Sequence, residues 1–473
     1  MRGRISPRSG GALAALLLPA LLLGGCAGIT PDGGFDAVAG RAQERGGLAP
    51  HIVLNEADAQ AVAETTRSLL AQPLSSEAAV RVALLNNPGL QANYWNVGIA
   101  QADLAQAARL QNPAFGFKRL AGGGGVEIER SLTFSLVQAL TLPLARRVED
   151  TRFEQVKLAV GAAIERHAVE TRHAWIDAVA ANQSLDYARR VNAAAEASAD
   201  LMGRMARSGN TSQLDLARER AFHAEAGAAL MRAGQQQVAA RERLIRLLGL
   251  WGADTAFTLP ARLPDLPGAP SELADLERRA LDARLDLAAA RQDAAALAAS
   301  LGLTRTTRFV NVFELGVANK SESGMPTTRG YEIAIELPLF DWGQARSARA
   351  EALYMQSLRR VAETAVNARS QARERYLGYR AAWDLARHYR DEVIPLRRKI
   401  SQETLLRYNG MLASPFDLLT DAREQAGAVN AAIEALKEFW KAHADLEEAL
   451  GGPLAQAAPA ALRQDNEHKE HAQ

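Results

Sequence analysis

Asp417 and Asp421 stand four residues apart just after Ser414, which places both carboxylates on one face at the start of a helix. Asp215 follows Ser212 as Asp417 follows Ser414, in the first-turn position where the helix dipole favours an acid. His167, Glu170 and His173 fall at i, i+3 and i+6, a spacing that no common metal motif requires, and they read as ordinary helix surface. Met202 and Met205 share a face that suits a soft metal ion, but core filling is the simpler account. The glycine run at 122–125 lacks the lysine and hydroxyl residue of a phosphate loop and reads as a hairpin turn. No Ser/His/Asp constellation stands out, and the single cysteine, Cys26, excludes internal disulfides and cysteine metal sites. The chain therefore offers charge placement rather than bond making: no catalytic residue, metal or cofactor is expected.

The elements that must position these groups occur twice. Residues 126–144 and 331–340 each alternate apolar and polar and end in Leu-Pro-Leu, and each feeds a very long Ala-rich helical stretch. In the first half Val126, Ile128, Leu132, Phe134 and Leu136 share one strand face against Glu127, Glu129, Ser131, Thr133 and Ser135, with Arg130 the single violation. Its partner strand is 114–120, where Phe115 and Phe117 alternate. In the second half Phe309, Phe313, Leu315 and Val317 run up, residues 319–328 turn, and Tyr331, Ile333, Ile335 and Leu337 run down. Amphipathic strands of this length match the roughly 9–11 residues that cross a bilayer at a barrel tilt. Four strands cannot close a barrel, and open edges in lipid leave unpaired amides, so the missing strands must come from other copies of the chain.

The helical stretches run from Leu144 to about Met205 and from Gln344 to about Leu406, roughly 90 Å each at helical rise, with Pro395 marking a break. Each turns, at 208–212 and at 408–415, and returns as an antiparallel partner ending at Gly249 or Gly451. The halves can be registered: Ala83, Pro88 and Leu90 with Ala280, Leu285 and Leu287; Pro143 with Pro338; Ser212 and Asp215 with Ser414 and Asp417. Ser75 or Ser76 caps the opening helix, and Asn86-Asn87-Pro88 divides it in two.

Aromatic residues make up only 5% of the 473 residues, which fits extended helical packing better than a thick globular core. The start of the chain has a basic segment with Arg2, Arg4 and Arg8, then a short apolar run at 12–23, the pattern of a cleaved secretory signal. Without those three arginines the chain has 52 basic against 54 acidic residues, so no nucleic-acid footprint exists. The signal ends in Leu23-Gly24-Gly25-Cys26, which resembles a bacterial lipobox; Cys26 would then be the lipidated first residue, and Ala27 after it implies the outer membrane. The expected organisation is a signal peptide at 1–25, an extended N-terminal periplasmic segment at 26–73, a first repeat at 74–250, and a proline-punctuated connector at 251–271. A second repeat follows at 272–451 and a disordered tail at 452–473, with hairpins at about 114–137 and 308–338.

The chain resembles the TolC-like outer membrane efflux protein family. The resemblance rests on Ala83-Leu84-Leu85-Asn86-Asn87-Pro88-Gly89-Leu90, Leu337-Pro338-Leu339-Phe340-Asp341-Trp342-Gly343, and Gly209-Asn210-Thr211-Ser212-Gln213-Leu214-Asp215-Leu216, and covers residues 75–450. It implies a mainly α chain with four β-strands, trimerising into a 12-stranded outer membrane β-barrel continued by a periplasmic α-barrel. It also implies docking of the helical turns (Gly209, Ser212, Gly410 and Ser414) onto a periplasmic adaptor linked to an inner-membrane pump, and a carboxylate of the periplasmic gate at Asp417; the family's second acid would fall on Thr420, where this chain has Asp421 one residue later, and Asp215 is the further candidate at the first turn. Where the family has a glycine three residues before the second-turn serine, this chain has Met411, with Gly410 displaced by one. The expected function is an outer membrane efflux duct, for metal ions or drugs, conducting passively. Alternatives are the channel of a type I protein secretion system and a lipid-anchored helical scaffold that conducts nothing.

Overall fold

The computed structural model describes residues 28–122, 125–309 and 312–454. Two helices open it, Asp36–Gly46 (α1) and Glu56–Leu70 (α2). Ser75 then caps Ser76–Asn86 (α3), its Oγ accepting from the Ala78 amide at 3.1 Å. Pro88 starts a separate helix, Pro88–Ala107 (α4), because a proline is tolerated in a first turn and disfavours helix in the residue before it. The hairpin Ala114–Gly122 (β1) and Gly125–Ser135 (β2) leads into Leu136–Arg207 (α5), a 72-residue helix. Gln213–Leu248 (α6) returns from it.

The second half repeats the order: Leu276–Ala283 (α7), Leu285–Thr307 (α8), Phe313–Glu322 (β3), Thr328–Ile335 (β4), Gln344–His388 (α9), Ile394–Asn409 (α10) and Pro415–Leu450 (α11). Leu285 opens α8 as Pro88 opens α4, and α6 and α11 have 36 residues each, so the sequence register holds in three dimensions. A π turn at Tyr389–Val393 separates α9 from α10 just before Pro395, whose missing amide breaks the helical ladder there.

The described residues form two compact units, one drawn from 28–38, 94–160 and 286–364, the other from 39–93, 161–285 and 365–454. The first holds one antiparallel sheet in the order β1-β2-β3-β4, and Phe35 packs against the buried Tyr94 ring, tilted by 42° with centroids 4.5 Å apart. The second holds two apolar clusters of helix faces. One centres on Trp175, Val179, Leu244 and Leu248, with Trp175 Nε1 donating to the Leu74 carbonyl at 2.7 Å. The other centres on Tyr379, Trp383, Phe439 and Leu446. The proline connector is pinned there through two proline carbonyls: Trp383 Nε1 donates to Pro267 O and Trp440 Nε1 to Pro264 O, both at 3.0 Å.

Three expectations are corrected. The first strand ends at Ser135 and helix begins at Leu136, so Leu142-Pro143-Leu144 lies inside α5 and not at a strand end. In the second half Gly343 takes φ +72°, its amide bonded to Asp341 Oδ1 at 2.8 Å, and this turn holds the chain out of helix until Gln344. The first half has Arg146-Arg147-Val148 at the matching place, and nothing stops the helix. The second hairpin turns after Glu322 and not at Asn319, because Lys320 is held in the ladder beside Glu127, Nζ to Oε1 3.0 Å, while Phe309 precedes the strand. Residues 28–73, whose polar stretch also reads as helical in the sequence, do form helices, but packed ones rather than an extended leader: Phe35, Val38, Ala42, Ile52 and Val62 are buried.

Candidate functional site

Strand alternation and register divide the sheet into two unlike faces. Leu132 sits opposite Val317, and Val317 opposite Tyr331; Phe134, Leu315 and Ile333 form the next row; Phe313 pairs with Ile335. With Val126 and Ile128 on β2, all seven sequence-predicted apolar strand residues share this face. Phe134, Tyr331, Ile333 and Ile335 are exposed and Val126, Ile128 and Leu132 half-buried. The opposite face carries charge, and its lysines are paired with glutamates: Lys118 with Glu129 at 4.0 Å, Lys320 with Glu127 at 3.0 Å. Such an open apolar face on a water-soluble monomer would be an unusually large exposed patch. β1 and β4 each have a single neighbour, so both outer edges of the sheet are unpaired among the described residues.

The two helical turns are built alike. Gly209 has φ +75°, its amide donating to Ala206 O at 3.2 Å and the Asn210 amide to Met205 O at 2.9 Å. Met411 has φ +57°, its amide donating to Tyr408 O at 3.0 Å and the Leu412 amide to Arg407 O at 2.7 Å. Gly410, at φ −83°, only caps α10. Ser212 and Ser414 then cap the return helices, accepting from the Asp215 and Asp417 amides at 3.1 and 3.2 Å. The turns lie side by side: the Arg218 guanidinium sits over the Phe416 ring at 5.0 Å and that of Arg423 over Phe222 at 4.3 Å. Met411 and Leu412 are almost fully exposed at the second turn.

The three candidate gate acids differ in setting. Asp417 completes a capping box, the Ser414 amide and hydroxyl both donating to its Oδ2 at 2.8 Å, and these bonds hold its carboxyl below the usual carboxylate range. Asp215 accepts from Ser212 Oγ at 2.6 Å and lies 3.5 Å from Arg218. Asp421 is buried, and its Oδ1 has no partner among the described residues. Sequence reasoning missed Glu219, also buried with Oε1 unpartnered. The signal was available, since the offset of 202 that registers Ser212 with Ser414 also lands Glu219 on Asp421.

Cys26 lies outside the described residues, as do the rest of the signal segment and the chain beyond 454. His167 does not face a metal: its Nε2 meets the Leu247 carbonyl at 3.1 Å, and burial pushes its pKa down against the smaller upward pull of that carbonyl and of Glu170. His173 Nε2 lies 3.0 Å from Asp445 Oδ1, and Met202 is buried in the core. Among the described residues no group of three or more His, Cys, Asp or Glu is placed to hold a metal ion, and no helix is long and apolar enough to cross a membrane.

A duplicated helical hairpin carrying two strands per half defines the class: the chain has the TolC-like fold of outer-membrane channels. It superposes on the CmeC outer membrane channel of Campylobacter jejuni with a TM-score of 0.67 at 16% identity, covering 83% of this chain and 89% of that one. For the open state of the Neisseria gonorrhoeae MtrE outer membrane channel the values are 0.61, 19%, 80% and 89%. For a membrane protein of Pseudomonas aeruginosa they are 0.69, 19%, 80% and 93%. No protein-family model matches the chain, and no curated relative does.

Proposed function

We propose that this chain is one third of a homotrimeric duct in the bacterial outer membrane, the exit component of a tripartite efflux system that conducts passively. The observation that carries this reading is the sheet: one largely apolar face, one charged face, and two edges unpaired among the described residues. Unpaired strand edges cost several kcal/mol per amide in hydrocarbon, and three such sheets joined edge to edge, β4 of one copy to β1 of the next, leave none. Twelve strands then enclose a lumen lined by Glu127, Glu129, Lys118 and Lys320, while Val126, Leu132, Phe134, Tyr331, Ile333 and Ile335 face lipid.

The helices continue the duct into the periplasm, and the turns at Gly209–Ser212 and Gly410–Ser414 dock a periplasmic adaptor that joins an inner-membrane pump. Exposed Met411 and Leu412 supply an apolar contact for it. Asp215 and Asp417, repeated around the threefold axis, narrow the periplasmic entrance electrostatically, and the buried Asp421 one turn on from Asp417 adds to the field there without lining it. Acylation at Cys26 adds an anchor. The pump selects the cargo, a metal ion or a drug.

The protein purified in mild detergent should migrate as a heat-sensitive trimer and give ohmic conductance in planar bilayers. A monomer with no heat-sensitive form and no conductance would sink the duct and leave a lipid-tethered scaffold. Continued acyl labelling of a Cys26→Ala variant would overturn the anchor.

A further inference from the structure

Arginine interrupts the apolar face of the sheet in a way that composition does not explain. Arg130 on β2 faces Asn319 on β3, and Asn319 faces Arg329 on β4, so the two arginines flank one asparagine in a single cross-strand row. Strand spacing puts their Cα atoms about 10 Å apart. Arg119 on β1 belongs to the same face, diagonal to Arg130 and one step nearer the hairpin tips. All three are exposed, and none forms an ion pair or side-chain hydrogen bond among the described residues. The lysines of the opposite face, by contrast, are matched to glutamates. Asn319 Oδ1 is buried between the two arginines without a partner.

On β3 and β4 the row lies at the tipward margin of the apolar band, while on β2 Ile128 and Val126 continue beyond it toward the tip. Along β4 the face reads Ile335, Ile333, Tyr331 and then Arg329, about 20 Å along the strand at sheet rise. Beside the row is a shallow recess of about 430 Å³ lined by Phe115, Leu132 and Val317 together with Arg130, Asn319 and Arg329. Cationic groups beside apolar side chains complement a molecule with phosphate next to hydrocarbon.

We propose that Arg119, Arg130 and Arg329 form a binding site for the phosphorylated glycolipid of the outer leaflet, one per subunit, with phosphate on the guanidinium groups and acyl chain over Phe115 and Leu132. Arginine suits this role because its planar fork gives two parallel hydrogen bonds to phosphate and stays charged in a poorly hydrated setting. The site rests on the membrane-facing assignment of this side of the sheet, since the hairpin tips, opposite the helices, then lie at the outer leaflet.

The test uses the full chain in nanodiscs containing either bisphosphorylated lipid A or its dephosphorylated form, with native mass spectrometry counting lipids retained per trimer. Wild-type protein should retain the phosphorylated form preferentially. Each arginine replaced should reduce that preference about 5-fold, so R130Q/R329Q should lose most of it while remaining trimeric and conducting. A trimer that conducts but retains both lipids equally, or whose preference survives R130Q/R329Q, overturns the lipid site and leaves the duct standing. Displacement of the lipid by inorganic phosphate alone would likewise overturn it, because the apolar side chains would then contribute nothing. Failure of the wild type to insert and trimerise overturns the duct and this site with it.

Discussion

Gly209 and Met411, 202 residues apart, hold the same left-handed position in the two helical turns, at φ +75° and +57°, and close the same pair of backbone hydrogen bonds behind them. The duplicated chain has kept the turn geometry and replaced the residue type best suited to it. A non-glycine residue in this conformation costs roughly 1–2 kcal/mol, part of which is offset because glycine is freer in the unfolded chain.

Met411→Gly should therefore stabilise the second turn by about 1 kcal/mol, slowing amide hydrogen exchange at Leu412 roughly 5-fold. Gly209→Ala should do the reverse in the first turn. A methyl group there meets nothing within 4 Å, so its effect isolates backbone strain. Equal exchange in both variants and the wild type would reject the account. Loss of export in Met411→Gly despite a firmer turn would mark the Met411 side chain as part of the adaptor contact.

The C-caps Gly249 and Gly451 form a second repeat pair, at φ +68° and +69°, and here space is closed as well. A Cβ on Gly249 would sit 2.8 Å from the Asn86 carbonyl oxygen, and one on Gly451 2.9 Å from that of Ala283. Asn86 Nδ2 donates to the Gly249 carbonyl at 2.9 Å, and Arg45 Nη2 to the Gly451 carbonyl at the same distance, so neither junction can shift freely. Alanine at either site should cost about 2–4 kcal/mol, strain plus overpacking, against about 1 for Gly209→Ala. Thermal unfolding of the three variants should rank in that order, and a Gly249→Ala protein as stable as Gly209→Ala would show the junction to be plastic.

What the sequence made legible was set by local signals. Ser75, Pro88, Ser212 and Ser414 mark helix starts by their own chemistry, and alternation at 126–134 and 331–335 marks strand faces. Leu136 was lost to strand because its place in the alternation is also compatible with a helix start, and Pro143 read as a boundary although α5 passes through it. The meaning of Arg130 needed register: only the pairing through Asn319 reveals Arg329 as its neighbour. Burial separated Asp421 from Asp417, since an i, i+4 spacing places two carboxylates on one face without saying which of them a neighbouring helix covers.

Acid should weaken the helical packing through histidine. Burial lowers the pKa of His167 from its ordinary 6.5, so the folded state prefers the neutral ring, whose Nε2–H donates to Leu247 O. A group with a depressed folded value stabilises fully above its unfolded value, and that contribution is lost as pH falls through 6.5 and on through the folded value. His443 shifts in the same direction, lowered first by burial, against Glu447 and with Arg172. The unfolding midpoint should drop between about pH 7 and pH 5, and His167→Gln should flatten that slope. An unchanged slope in this variant would assign the acid sensitivity elsewhere.

The proposed gate is tested by separating charge from helix capping, since Asp417 would serve both and its carboxylate closes the capping box on Ser414. Ser414→Ala removes the cap and leaves both acids, loosening the first turn of α11 by about 1 kcal/mol. If electrostatic narrowing controls the entrance, Asp417→Ala with Asp421→Ala should raise single-channel conductance and antibiotic leakage several-fold, while Ser414→Ala leaves both unchanged. The Ser414 amide and hydroxyl keep the Asp417 carboxyl ionised to below its ordinary 3.8, so the wild-type restriction should persist on acidification until pH falls through that lowered value. A rise in conductance at Ser414→Ala matching that of the double variant would mean that fraying of the turn, and not charge, opens the entrance.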